Sequence, residues 1–192
     1  LTQGGQFMTE KEGGSDVGTL TTTAVQEGDR WRLHGEKWFC SNADAEVVML
    51  LARPEGAGPG TRGVGLFLMP RRLEDGSQNH YRIVRLKDKL GTRSMASGEI
   101  KLEGAIAYAV GKLDRGFVQM AEMVNSSRLS NGVKSTALMR RAYHDAMTVA
   151  QNRVVFGQRI VDLPLARRQL MKIMLATEQA LSMSFVTADA LD

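Results

Sequence analysis

The sequence predicts an α+β protein: an antiparallel β-sandwich or barrel domain followed by long antiparallel helices. Glycine placement is the first observation. Of the 20 glycines, 17 lie in residues 1–112, and only Gly116, Gly132 and Gly157 follow. Tight turns therefore crowd the first part and thin out in the second. The second observation is a change of period after Gly111, from short β-branched and aromatic runs to apolar residues recurring every three or four positions. Together they divide the chain into a β-domain over 1–112 and the start of a helical bundle over 113–192.

In the first part, strands are expected at Thr19–Gln26, Trp31–Leu33, Glu46–Ala52, Gly65–Met69, His80–Leu86 and Gly98–Leu102, each a short run bounded by turn residues. Glu27-Gly28-Asp29 is a hairpin turn between the first two. The run from Pro54 to Gly60 is a Gly/Pro loop, and His34 beside Gly35 reads as a turn residue. In the second part, Phe117, Met120, Ala121 and Val124 open a helical stripe that Met139, Ala142, Tyr143, Ala146, Met147, Ala150 and Val154 continue, giving one long helix that ends near Gly157. Asp162 before Pro164 reads as an N-cap with a first-turn proline. Ala166, Leu170, Ile173, Met174, Leu181, Ser184, Phe185 and Ala188 then mark a second helical face. Two helices cannot bury both stripes alone, so further chain or a partner subunit is expected to cover them.

Composition narrows the function classes. At 43% hydrophobic and 24% charged, the 192 residues can build a core, which excludes disordered and collagen-like chains. No stretch approaches the roughly 18 uninterrupted apolar residues of a spanning helix, and no signal-peptide pattern opens the chain, so a cytoplasmic protein without a membrane partner is expected. One cysteine, Cys40, permits no internal disulfide, and His34, His80 and His144 are not at ligand spacing, so no metal site is expected. Net charge is +4; residues 113–192 hold 10 Lys/Arg against 7 Asp/Glu, a mild surplus that allows an anionic partner without requiring one.

The chemistry concentrates in Gln6-Phe7-Met8-Thr9-Glu10-Lys11-Glu12-Gly13-Gly14-Ser15-Asp16. Glycines let a loop approach a flat or anionic ligand closely, and Thr9 and Ser15 offer hydroxyl donors of the kind an electron-accepting ring system uses. Taken alone, such a loop is equally a plain turn. Met8-Thr9-Glu10 with Gly14-Ser15-Asp16, however, resembles the flavin-contacting signature of the acyl-CoA dehydrogenases. Gly35-Glu36-Lys37-Trp38-Phe39-Cys40-Ser41-Asn42 resembles their second element, Lys87-Asp88-Lys89-Leu90-Gly91-Thr92-Arg93-Ser94 their K-L-G-x-R-x-S stretch, and Arg153-Val154-Val155-Phe156-Gly157 their R-x-x-F-G motif. The four occur in the family's order across about 150 residues, a conjunction more specific than any member. Glu12-Gly13-Gly14-Ser15-Asp16, Trp38-Phe39-Cys40-Ser41 and the hairpin Pro70-Arg71-Arg72-Leu73-Glu74-Asp75-Gly76 are most similar to the AidB-type, alkylation-response branch. Phe7 and Thr19 depart from the general signature at its two ends.

The resemblance implies an incomplete acyl-CoA dehydrogenase fold that binds FAD and oxidises the CH–CH bond of an acyl thioester by hydride transfer to flavin N5. It assigns cofactor contacts to Gln6, Phe7, Met8, Thr9, Gly14, Ser15, Phe39, Cys40, Ser41, Arg153 and Phe156. Thr9 and the Met8 amide would face the ring's pyrimidine edge, Ser41 would bond near N5, Phe39 would pack on the ring, and Ser15 would lie where phosphates or the thioester pass. Thr9, Ser15 and Ser41 are also the implied substrate contacts. Arg153 and Phe156 would reach the FAD of a neighbouring subunit, which implies a homo-oligomer, a tetramer at full length; an arginine fork suits pyrophosphate. No catalytic base is visible: where some members place a glutamate before an arginine, Ser127 precedes Arg128, and the commoner position is expected beyond Asp192. The alternative the branch implies is a flavin-containing DNA-binding protein of the alkylation-damage response, with DNA held through a later C-terminal part.

Plainer readings stand beside these. Gly58–Gly63 satisfies G-x-G-x-x-G but precedes a strand, so it is not a dinucleotide fingerprint. Arg140-Arg141 and Arg167-Arg168 read as solvated helix faces, Cys40 as a buried strand residue, and seven of the eleven methionines as gap-fillers of the helical part.

Overall fold

The computed structural model describes residues 2–192. They form two compact units, the first ending at Glu122 and the second spanning Met123–Asp192. The first holds seven strands: β1 (Gly4–Phe7), β2 (Thr23–Glu27), β3 (Arg30–Ser41), β4 (Val47–Pro54), β5 (Gly65–Pro70), β6 (Tyr81–Leu86) and β7 (Ser97–Val110). They pair in the order β1-β3-β2-β4-β5-β7-β6, with β1 also on β4 and β3 also on β7. The β3–β7 pairing closes β3, β2, β4, β5 and β7 into a barrel, which leaves β6 as an edge strand on β7. Most pairings are antiparallel, as expected, but β1 and β2 both run parallel to β4.

The core fills with side chains from alternate positions of these strands, among them Phe7, Leu33, Leu50, Phe67, Met69, Ile100 and Leu102, all 2% exposed or less. Trp31 meets Phe67 edge-on, with ring centroids 5.4 Å apart. Burial of each such side chain is worth about 1.5–3 kcal/mol. Two β-bulges shape the long β3–β7 ladder. Near its start β7 carries the extra residue, Gly104, whose φ of +85° suits a glycine. Near its end β3 carries it: Lys37 pairs with Ile100 and Cys40 with Gly98, so Trp38 and Phe39 together oppose Glu99.

The first unit ends on the opening turns of α1 (Gly116–Asn152), whose Met120 is fully buried. The Gly116 amide donates to the Val64 carbonyl at 3.0 Å, and a Cβ at Gly116 would collide with the Gly65–Leu66 backbone.

In the second unit the rest of α1 is followed by a short hairpin, β8 (Val154–Val155) against β9 (Gln158–Arg159), and by α2 (Pro164–Asp189). The helix therefore stops at Asn152, short of the expected Gly157, because Phe156 and Gly157 take φ values of +50° and +78° and form a two-residue turn. Asp162 is not the N-cap of α2. That position is Leu163, which makes no side-chain cap bond, while Asp162 pairs with Arg159 at 2.9 Å. Thr136 and Ser184 share a hydrogen bond of 2.9 Å between α1 and α2. Much of the apolar surface of these helices stays open, with Leu138 63%, Leu165 70% and Phe185 70% exposed. Among the described residues no helix is long and apolar enough to cross a membrane.

Other expectations needed correction. Trp31–Leu33 and Gly98–Leu102 are only the opening parts of strands of 12 and 14 residues. Thr19–Gln26 divides into a 3-10 turn at Val17–Thr19 and β2. His34 lies within β3, not in a turn. The turn between β2 and β3 stands where expected, with Gly28 at φ +65°.

Candidate functional site

The first two sequence motifs come together at one place in the barrel wall. Gln6 of β1 pairs antiparallel with Ser41 of β3, and the Trp38 amide donates to the Thr9 carbonyl at 2.9 Å, which carries the same alignment past the end of β1. In this register Phe7 lies opposite Cys40 and Glu10 opposite Lys37. All four of these side chains are buried, Phe7 and Cys40 at 0% exposure and Glu10 and Lys37 at 2% and 1%. Between the two buried pairs stand Met8 and Thr9 on one segment and Trp38 and Phe39 on the other, half-buried or exposed. The bulge produces this arrangement. An uninterrupted pleat would turn Phe39 inward with Lys37, whereas the extra residue returns Cys40 to the core and leaves Trp38 and Phe39 outside.

The structure thus gathers Gln6, Met8, Thr9, Phe39 and Ser41 at one patch of outer wall, with the Phe39 ring 49% exposed and Ser41 exposed. Phe7 and Cys40 belong to the same segments, but their side chains face the core, so only their backbone groups are offered there. Cys40 is correspondingly inert: burial pushes its thiol up to about 12, with Lys37 offsetting this only in part. Gly14 and Ser15 are exposed in the loop beyond Glu10, and nothing lies within 4 Å of where a Gly14 Cβ would stand. Asp16 closes that loop by accepting from the Gly18 amide at 3.0 Å. Arg153 and Phe156 lie in the second unit, at the start and tip of the β8–β9 hairpin, where Phe156 is 93% exposed.

Residues outside the expected set hold this patch in shape. Glu10 accepts from the Lys37 ammonium at 2.6 Å, from the Thr21 amide at 2.6 Å and hydroxyl at 3.0 Å, and from the amide and hydroxyl of Thr22. Burial pushes the Glu10 carboxyl up, but the Lys37 charge and these hydrogen bonds outweigh it and hold the group below the usual carboxylate range. Lys37 is held below the ordinary lysine value, because burial exceeds what Glu10 returns. Gly35 is required beside them: at φ +147°, a Cβ there would stand 2.8 Å from the Thr22 Cα. On the outer side, the Lys87 ammonium sits 3.2 Å from the centroid of the Trp38 ring and 2.6 Å from Glu99, which Arg85 also bonds at 2.7 Å. Asn42 ends β3 at φ +53°, and its side-chain amide reaches back to the Gly4 carbonyl at 3.3 Å. Glu10, Gly35 and Lys37 all stand inside the motifs quoted above, and that was the signal available for them. Lys87 stands in the third motif, whose loop is closed by Lys89 donating to the Met95 carbonyl and the Ser97 hydroxyl.

An exposed aromatic ring with hydroxyls offered from the segment just past β1 and from the end of β3, beside an open glycine loop, is a donor set suited to a flat polar ring system, and these residues fit a flavin. A family model described as acyl-CoA dehydrogenase, middle domain, matches residues 5–105, and one described as acyl-CoA dehydrogenase, C-terminal domain, matches residues 114–192. The chain belongs to the acyl-CoA dehydrogenase family, whose members are FAD-dependent flavoproteins. Among its relatives are acyl-CoA dehydrogenase family member 11 of Caenorhabditis elegans, 43% identical over 190 residues and covering 96% of this chain and 31% of the relative. A second is the putative acyl-CoA dehydrogenase AidB of Escherichia coli, 39% identical over 189 residues and covering 98% and 34%. The crystal structure of C. elegans ACDH-11 in complex with C11-CoA superposes with a TM-score of 0.83, covering 92% of this chain and 31% of that one. The chain spans about a third of the length of these curated relatives.

Proposed function

We propose that this chain supplies the flavin-contacting wall of an FAD-dependent oxidoreductase that dehydrogenates an acyl thioester. The observation that carries the reading is the double outward turn at Met8–Thr9 and Trp38–Phe39, which leaves Phe39 49% exposed beside the exposed Ser41. Bound FAD would supply the hydride acceptor for the substrate's C–H bond. Thr9 and Ser41 would hold the ring's polar edge with their hydroxyls, Phe39 would exclude water from one face, and the glycine loop with Ser15 would admit phosphate or thioester groups. Donors fixed at the polar edge favour the negative charge that reduction adds. Arg153 and Phe156 would serve the cofactor of a neighbouring subunit, in a homotetramer. C11-CoA in the C. elegans ACDH-11 structure supports an acyl-CoA substrate. The full-length protein should take up FAD and show its visible absorbance, and Phe39→Ala should weaken uptake at least tenfold. Bleaching of that absorbance by acyl-CoA thioesters tests the reaction; a loaded protein that no chain length bleaches refutes the dehydrogenase assignment.

A second reading, a flavoprotein that binds DNA, is favoured by Arg140, Arg167 and Arg168, exposed on the helices and in no ion pair among the described residues. A gel shift of the full-length protein that weakens steeply between 50 and 200 mM salt, by about 10³-fold if six phosphates are contacted, tests it. Absence of any shift at low salt refutes it.

A further inference from the structure

We propose that the buried Glu10–Lys37 pair is a positioning device: across a gap in the barrel wall it holds Met8–Thr9 and Trp38–Ser41 in one register, so that the ring-facing groups are placed before the cofactor arrives. This rests on the flavin reading above.

The gap follows from the topology. β1 and β2 lie end to end in the same slot between β3 and β4. β1 runs along Val47–Leu50 and opposite Ser41, while β2 begins along Arg53 and opposite His34. Between them the chain leaves the β4 ladder after Phe7 and rejoins it at Thr23, so no strand pairs with Leu51 and Ala52 of β4 on that side, while opposite them the departing segment keeps only the bond from the Trp38 amide to the Thr9 carbonyl. A hole of this kind strands backbone groups that must find partners. Lys37 supplies one by donating across the gap to the Leu51 carbonyl of β4 at 2.7 Å. Glu10 serves the returning segment by accepting from the amides and hydroxyls of Thr21 and Thr22. Their mutual bond of 2.6 Å ties the departing segment, the returning segment, β3 and β4 at one point, with both side chains sealed at 1% exposure or less.

Place in sequence turns this knot toward function. Glu10 directly follows Thr9, and Lys37 directly precedes Trp38 and Phe39, so a shift of either partner is passed through the backbone to the groups at the patch. Stability alone does not account for the pair, because apolar replacements of buried ion pairs are often as stable or more so. What an apolar pair lacks is direction: five donors converging on one carboxylate fix its position, and with it the adjoining backbone, in a way dispersion contacts do not.

The test compares full-length wild type with Glu10→Gln/Lys37→Met, which removes both charges together and keeps an acceptor for the Thr21 and Thr22 amides. Three quantities are read: the melting temperature of the apoprotein, FAD affinity by fluorescence titration, and the reduction potential of bound flavin. The expected result is an apoprotein melting within a few degrees of wild type that binds FAD at least tenfold more weakly and holds it at a lower potential, since displaced donors stabilise the reduced ring less. Wild-type affinity and potential in the folded double variant overturn the proposal. Should that variant fail to fold, Glu10→Asp decides: it keeps both charges but draws the carboxylate back by one methylene, and unchanged FAD affinity there overturns the proposal equally. A wild-type protein that takes up no FAD overturns the flavin reading itself, an outcome seen before any variant is compared.

Discussion

Replacing Gly35 by alanine probes the site through sterics alone, without touching a charge or a cofactor-facing group. The new Cβ would stand 2.7 Å from the Thr22 Oγ1, 2.8 Å from its Cα and 3.0 Å from its Cβ. Carbon atoms rest about 3.5–4.0 Å apart, so Thr22 must retreat by close to 1 Å, and its Cα is backbone that cannot swing aside. Overpacking of this degree costs about 1–3 kcal/mol, and holding alanine at φ +147° adds about 1–3 kcal/mol. As Thr22 retreats it also loosens its bonds to Glu10. The sum is about 2–6 kcal/mol, which for a protein of this size lowers the melting temperature by roughly 4–24 °C. Thermal unfolding followed by circular dichroism measures it, with Gly4→Ala as the control: no atom lies within 4 Å of the Cβ that variant adds, so it should melt within about 2 °C of wild type. A Gly35→Ala protein that melts as the control does refutes the account of why glycine stands there.

Three further outcomes are expected. Cys40, buried and raised to about 12, should resist a thiol reagent at pH 8 in the native protein and react fully in denaturant; stoichiometric labelling of the folded protein within minutes contradicts this. Because the folded Glu10 titrates below its ordinary 4.5, the unfolded chain takes up that proton first as pH falls. The stabilisation is therefore complete above about pH 4.5 and is lost as pH drops through the folded value. Urea midpoints between pH 3 and 7 should show a shallower acid loss for Glu10→Gln than for wild type, and equal slopes count against it. Phe156, exposed at the hairpin tip with φ +50°, should be replaceable by asparagine with a gain of about 1 kcal/mol in apoprotein stability and a loss of FAD affinity; a destabilised apoprotein would show that the phenylalanine is held there by packing.

How far the sequence reaches can be argued from particular residues. The glycine census and the change of period located the two kinds of structure, and the motifs carried Thr9, Phe39 and Ser41 to one patch. The periodicity failed on β3 for a physical reason: its inner positions 35 and 37 are a glycine and a lysine, so the apolar alternation of a 12-residue strand breaks off after Leu33 and resumes only at Cys40. β1 was invisible to propensity because Gly4 and Gly5 are poor strand formers, and β3 and β4 on either side impose its conformation. The turn at Phe156-Gly157 carries no local signal, since phenylalanine rarely accepts a positive φ. The Glu10–Lys37 bond, between residues 27 apart, is a tertiary fact that no local pattern encodes.

The strained and the buried polar features have a common logic. A β-bulge alone would leave Trp38 and Phe39 turned outward but free to shift in register, because bulged ladders lose a pairing at the point where they re-aim a side chain. Two constraints restore definition there. From inside the barrel, Lys37 and Glu10 fix the residues before and after the outward turns. From outside, Lys87 lies over the Trp38 ring and is itself anchored on Glu99, the one β7 residue that the bulge opposes. Burial holds the Glu99 carboxyl up, yet its bonds to Lys87 and Arg85 bring it below the usual range, so the anchor stays charged at neutral pH. Trp38 is thus gripped on both sides of the wall, and its neighbour Phe39 is presented half-open on a backbone with little freedom left, the condition a site needs if its geometry is to precede its ligand.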